Sequence, residues 1–350
     1  MPQKTVRNRC AVLVLSTLAA ACSGKTEAVN AQGGGAGVSG AGGGSAAGSG
    51  GGGSGGIEPG SGVSVEGEGY IVRRFLIGDE DRDGTRNYSA WQQYGTDIDG
   101  LSSTETSQAH CKLQPGAKPE VKTDAPDGVD NNFGKVILPI LLAVTPTPSD
   151  AMAMRVAQGR SLTLIVGPDL RAPNLLGSMG RATSPTSSYD LSKPWLAFSP
   201  DTMDNTSRCG LSGQGSETQL RLNGFGTWDL RVPVEGRDLV VPIHRTQVLA
   251  ELEPGSALPQ NSIIVGVIRT EELVDAVRRV AGFVDEALCG GSTIESIVSQ
   301  IRAASDLSYS AGPGDPSVEC DAISFGMGVE LDPVVVQGRV PPEAVPNACP

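Results

Sequence analysis

From Gln32 to Gly56 the chain is almost wholly glycine, serine and alanine. A stretch with so few large apolar side chains cannot offset the entropy of ordering its backbone, so it behaves as a flexible coil. Any core must therefore come from residues 57–350, enough for one large domain. As a coil the tract has a root-mean-square reach of about 25–30 Å. Two motif matches inside it follow from composition alone. Gly35-Ala36-Gly37-Val38-Ser39-Gly40 fits the dinucleotide fingerprint and Gly52-Gly53-Ser54-Gly55-Gly56 the nucleophile elbow, but neither lies between a strand and a helix.

Ahead of the tract, Lys4, Arg7 and Arg9 precede the apolar run Ala11–Leu15, and Leu18-Ala19-Ala20-Ala21 leads to Cys22. A basic start, an apolar run too short to span a bilayer and small residues at a junction are the parts of a cleaved export signal. With a cysteine at the junction, the segment resembles the signal of bacterial lipoproteins, whose cysteine is lipidated and the preceding peptide removed. The resemblance implies a signal over residues 1–21, lipidation of Cys22 and a tether over residues 22–56. It places the protein in the outer membrane or at the cell surface, because Ser23 stands where many members carry a retention Asp. The family usually has Leu three positions before the cysteine; here that position is Ala19, with Leu18 one further out. Ordinary cleavage after Ala21 is the alternative. Several acyl chains would anchor the protein stably, each buried methylene contributing about 0.8 kcal/mol.

Acidic residues outnumber basic ones, 39 to 27, and no Lys/Arg cluster stands out, which argues against nucleic-acid binding. Loss of the basic signal makes the mature chain more acidic still, as suits a soluble or cation-binding exported protein. Seven cysteines fit an oxidising compartment. Cys10 leaves with the signal. Lipidation of Cys22 leaves an odd set, Cys111, Cys209, Cys289, Cys320 and Cys349; without it the count is even. Cys289 and Cys320 bracket one helix and its following loop, which favours that pair, with Cys111–Cys209 a weaker choice. No zinc-type Cys/His spacing occurs.

Alternation of apolar and polar residues predicts strands at Gly69–Gly78, at Ser161–Val166 and from Ile323 to Leu331, and further strands are expected near Trp195–Phe198, at Leu239–Leu252 and at Ile263–Ile268. Thr218–Leu222 and Trp228–Val232 also alternate, and Asn223-Gly224-Phe225-Gly226 between them predicts a tight hairpin. Pro148-Ser149-Asp150 starts a helix that Gly159 stops. Thr270 caps another, with a stripe of Leu273, Val277, Val280, Val284 and Leu288. Ser292-Thr293-Ile294-Glu295 is a capping box for a third, with Ile294, Ile297, Val298 and Ile301 inward. The predicted fold is mainly β: a β-sandwich, jelly-roll-like, with a two-helix insertion near the C-terminus.

The chemistry concentrates in an acidic, loop-rich region from Asp79 to Gly134. Asp79, Asp81 and Asp83, then Gly84, alternate like the start of a calcium loop, since hard cations need several converging oxygens. Ala90 stands where an EF-hand needs its bidentate Glu, which excludes that motif. Asp97, Asp99, Asp127, Asp130 and Asn131 offer further oxygens, and all eight residues are candidate Ca2+ ligands. The same Asp-Gly pairs also read as plain turns. The run Trp91, Tyr94-Gly95, Asp97-Ile98-Asp99-Gly100, Cys111, Asp127–Gly134 and Cys320–Gly326 resembles uncharacterised Gly-tethered lipoproteins of myxobacterial type. That resemblance implies an envelope protein and lends no activity. His110 and His244 read as structural. The function expected is a lipid-anchored envelope module with a non-catalytic binding, adhesion or structural role, stabilised by calcium. Its partners would be the membrane, through the anchor, and a polysaccharide or another envelope protein. The alternative is a hydrolase of envelope or extracellular polysaccharide, whose carboxylate pair one acidic sequence would not reveal.

Overall fold

The computed structural model describes residues 67–167, 169–198, 208–256, 258–311 and 314–340. The chain divides into Met1–Gly62 and Val63–Pro350, and every described residue belongs to the second unit. The signal, Cys22 and the tether lie outside the described residues.

Among the described residues there are ten strands and four α-helices, two helices between the first strand and the second and two between the ninth and the tenth. In chain order the strands are β1 (Gly67–Leu76), β2 (Arg160–Val166), β3 (Leu175–Thr183), β4 (Trp195–Phe198), β5 (Arg208–Gly215), β6 (Gln219–Phe225), β7 (Trp228–Val234), β8 (Arg237–Leu252), β9 (Pro259–Arg269) and β10 (Ala322–Val340). The helices are α1 (Leu138–Leu142), α2 (Pro148–Ala157), α3 (Thr270–Val284) and α4 (Ser292–Ala303).

Eight of the strands form a closed antiparallel barrel in the order β1-β2-β3-β5-β6-β8-β9-β10, with β10 returning to β1. The β1–β10 pairing runs from Gly67↔Val336 to Leu76↔Gly328, with a bulge at Arg73. This corrects the sandwich expected from the sequence. A sandwich and a barrel both need one buried face per strand, so alternation cannot separate them; the pairing of first and last barrel strands decides it. Inside, Leu222, Val248, Ile264 and Met327 stand opposite one another across β6, β8, β9 and β10, all buried. A second cluster lies on the outer face, where Ile71, Ile165, Val334 and Val336 pack under Trp195 and Ala197 of β4. β4 itself pairs antiparallel with β3 and parallel with β10.

The expected hairpin at Asn223-Gly224 does not form. Both residues sit inside β6, opposite Ser212 and Leu211 of β5, and β6 pairs with β5 and β8 rather than with β7. The turn that does form a hairpin is Glu235-Gly236, between β7 and β8, with both residues at positive φ (46° and 75°). The two helices near the C-terminus are present. α4 buries Ile294, Ile297, Val298 and Ile301, as its spacing predicts. α3 buries Leu273 and Val280 but adds Val274, Ala276 and Ala281, while Leu288 falls beyond its end. The capping box is not made: Gly291 holds the N-cap position, and Glu295 pairs instead with Arg278 of α3 at 2.9 Å.

The disulfide expectations are also corrected. Cys111 bonds Cys320 across 209 residues of sequence, which excludes both Cys289–Cys320 and Cys111–Cys209. Cys289 is engaged in a disulfide as well. Spacing suggested a local loop closure. The fold instead lays the acidic region alongside the entry to β10, through the parallel bridge Lys112↔Glu319.

Candidate metal centre

After β1 the chain leaves the barrel and runs as a strap, residues 77–137, over the outer face of β10. Two glycines let it approach. A Cβ on Gly326 would lie 1.8 Å from the Tyr94 carbonyl oxygen, and one on Gly328 would lie 2.8 Å from the Tyr94 ring. Beyond the end of β1, Asn131 takes over the edge of β10. Its side-chain oxygen accepts from the Gly326 N–H and its amide donates to the Gly326 carbonyl, each at 3.1 Å. Next along that edge, the Ser324 hydroxyl donates to Asp306 and accepts from the Asn132 N–H. The bridge Leu307↔Ala322 completes the edge. Polar side chains and a connecting segment thus satisfy backbone that a ninth barrel strand would otherwise pair.

This arrangement gathers carboxylates. Ligand atoms of Asp97, Asp99 and Asp130 lie within 4.8 Å of one another, Asp97 exposed and Asp130 buried. The bridge Thr96↔Asp130 brings the two loop segments together. Asp124 hydrogen-bonds Asp130, and its carboxylate accepts from the Ser103 N–H at 2.5 Å. Asp306 sits against the same group from the α4–β10 connection, with Ser324 donating to both of its oxygens. Burial, then repulsion from Asp306, pushes Asp130 up to about 9, against the Ile98 N–H donated to it at 2.7 Å. Burial raises Asp306 to about 7 and Asp99 to about 6, and it raises Asp124 as well. Crowded carboxyls of this kind bind either protons or a cation. Lys135 lies nearby but donates to the carbonyls of Glu120 and Thr123; burial lowers its pKa against the attraction of Asp306.

The structure divides the eight expected calcium ligands. Asp79 is fully buried and tied to Arg86 at 2.6 Å and to Ser149 on α2. Asp81 accepts from Asn87 and Gln93, and Asp83 closes its own turn onto the Thr85 N–H. These three point to separate partners. Asp127 lies at a positive φ of 64° in the turn before the cluster, and Asn131 serves the β10 edge. Asp97, Asp99 and Asp130 come together. Asp124 and Asp306 were not singled out from sequence: Asp124 has no patterned neighbour, and Asp306 lies far along the chain.

A cavity of about 70 Å³ adjoins the cluster, lined by Asp99, Asp306, Cys111, Arg245 and Leu307 among others. Arg245, at a positive φ of 48° in the β8 bulge, lies over the Tyr309 ring at 4.7 Å and donates to the Tyr309 carbonyl. His110 is buried beside the disulfide, its Nδ1 2.8 Å from the Cys111 carbonyl, and burial lowers its pKa. His244 pairs with Glu272 at 2.6 Å and with Thr227 at 3.3 Å, joining β8 to the start of α3. Among the described residues no helix is long and apolar enough to cross a membrane. Comparison with protein-family models, with curated proteins and with solved structures finds no match to this chain.

Proposed function

We propose that the protein is an exported envelope module, anchored by lipid at Cys22 and displayed on the Gly/Ser/Ala tether. In this reading its barrel has a non-catalytic binding or structural role and its strap is stabilised by calcium. The observation that carries the metal reading is the convergence of Asp97, Asp99 and Asp130 within 4.8 Å. A calcium ion takes oxygens at about 2.3–2.6 Å, so ligand oxygens around one ion stand no more than about 5 Å apart. That is tighter than the roughly 5–10 Å separation of a glycosidase pair, which favours a cation over the hydrolase alternative. Asp97 is the exposed member and gives the ion its approach; Asp124 lies within reach of the same group. The lipid signal and the disulfide Cys111–Cys320 both suit export to an oxidising compartment. Partners on this reading are the membrane, through the anchor, and a polysaccharide or another envelope protein, reached by the tethered barrel.

Thermal unfolding of the full chain with and without calcium tests the metal. At a concentration one hundred times its Kd, one bound ion stabilises by about 2.7 kcal/mol. Asp99→Asn and Asp130→Asn should each remove that response, whereas Asp81→Ala with Asp83→Ala should keep it. No calcium response in the wild-type chain, or one that survives Asp130→Asn, sinks this reading.

A further inference from the structure

One end of the barrel is closed by two elements outside the ring, α2 and β7. α2 packs against β1, β2 and β7. β7 lays Trp228 against Phe325 of β10, ring centroids 6.4 Å apart, and Trp228 Nε1 donates to the Thr246 hydroxyl at 3.0 Å. Ile165 and Ala182 belong to the outer-face cluster, so Leu162 of β2 and its partner Arg181 of β3, at odd spacing from them, face inward. Phe75 stands opposite Val329, which lies two residues from Met327 and shares its inward face. Between these side chains and the two closing elements a second cavity of about 70 Å³ remains. Small closed barrels have room for side chains or one small ligand, and their mouths are a common ligand position.

The lining has two parts. Phe75, Met152, Leu162, Trp228 and Leu230 are buried and form an apolar floor. Arg155, Arg160, Arg181 and Arg231 line the cavity with Asp229 and Asp238, a surplus of two positive charges. Arg160 is exposed and the other three arginines are half-buried, so the charge lies toward the mouth. Asp238 is shared by Arg155 at 2.5 Å and Arg231 at 3.5 Å. Arg160, Arg181 and Asp229 are engaged in contacts of their own. A guanidinium carries five N–H donors, so a contact that fixes its position leaves donors for a ligand.

We propose that this end of the barrel binds a short-chain carboxylate, its alkyl body on the apolar floor and its acid group on the arginines. The arginine fork matches a carboxylate with two parallel hydrogen bonds. A cavity of roughly 150 Å³ takes a benzene, so one of about 70 Å³ takes roughly three carbons. A bare inorganic anion would leave the floor unfilled, and a long acyl chain would outgrow it. The site uses neither the carboxylates of the strap nor the anchor, so it holds or fails separately from the calcium reading.

The test is isothermal titration calorimetry of the full chain with sodium butanoate, which carries a propyl body. Butanoate should bind about tenfold or more tightly than acetate, because its added methylenes are buried. Octanoate should bind more weakly than butanoate. Butanamide, with the shape but no charge, and inorganic phosphate, with charge but no body, should each bind at least about tenfold more weakly. Arg181→Gln and Arg160→Gln should each weaken butanoate binding by about tenfold. Leu162→Phe, which fills the floor, should abolish it. All three variants should keep the wild-type response to calcium. Circular dichroism reports the folding of each, and the exposed Arg160 supplies a variant outside the core. The proposal is overturned if butanoate does not bind, or if butanamide, phosphate or octanoate binds as tightly. It is also overturned if Leu162→Phe or both arginine variants retain wild-type binding.

Discussion

At the scale of single residues, Asp130 carries the sharpest consequence. An unfolded aspartate titrates near 3.8, but burial and its acidic neighbours hold Asp130 at about 9, Asp306 at about 7 and Asp99 at about 6. The native state therefore binds more protons than the unfolded state between about pH 4 and 9. By linkage, the stability these protons contribute is present at low pH and is lost as pH rises through the folded values. Without calcium the protein should lose stability steadily from about pH 5 to 9, measured by denaturant midpoint at each pH. Calcium should flatten that slope, because it discharges the same carboxylates, and should bind more tightly as pH rises. Asp130→Asn removes the most strongly shifted acid while its amide oxygen can still accept the Ile98 N–H. This variant should be more stable than the wild type at pH 8 in the absence of calcium; a less stable variant would contradict the crowding argument. Gly326 is the opposite case. A Cβ there meets the Tyr94 carbonyl at 1.8 Å, so Gly326→Ala must move the strap and should cost about 1–3 kcal/mol in chemical unfolding.

At the scale of elements, the β7–β8 hairpin offers a test of turn chemistry. Glu235 occupies a positive φ of 46° beside Gly236 at 75°, positions that asparagine tolerates better than glutamate. Glu235→Asn should raise the melting temperature modestly, by the equivalent of a few tenths to about 1 kcal/mol. A fall would mean that the Glu235 side chain matters more than its backbone. The same hairpin shows where the sequence could be read and where it could not. β2 and the Ile323–Leu331 part of β10 were legible because their large apolar residues recur at every second position, the period of a strand. Asn223-Gly224 misled because a turn-forming pair placed opposite Ser212 and Leu211 is pinned by two neighbouring strands, and ladder pairing overrides local preference. Closure of the barrel was illegible for a related reason, since it depends on partners at opposite ends of the chain. The candidate site divides along the same line. Asp97, Asp99 and Asp130 belong to a visible acidic run. Asp306 and the Cys111–Cys320 pairing depend on the route of the strap, which is dictated by small residues such as Gly326 and by the Asn131 side chain on a strand edge.

At the scale of the whole molecule, the disulfide joins the strap to the last barrel strand. Cys111→Ser with Cys320→Ser should lower stability by about 2–5 kcal/mol, read from denaturant midpoints, while the Lys112 and Gln114 hydrogen bonds keep the fold. The anchor is tested on the same full-length chain. Intact mass of the mature protein should show a diacylated or triacylated Cys22 and no residue before it; a bare cysteine would remove the lipid from the proposal.

The closed ring of strands has a further consequence for two copies of the protein that meet. Two copies stick most readily where one offers an unfinished β-ladder to another. Here the last strand of the ring hydrogen-bonds to the first, and β4 and β7 are the short strands paired outside it. Where β1 stops short, Asn131, Ser324 and Leu307 finish the β10 edge from within the chain. Among the described residues, the eight barrel strands therefore offer a neighbouring copy little unpaired backbone to recruit.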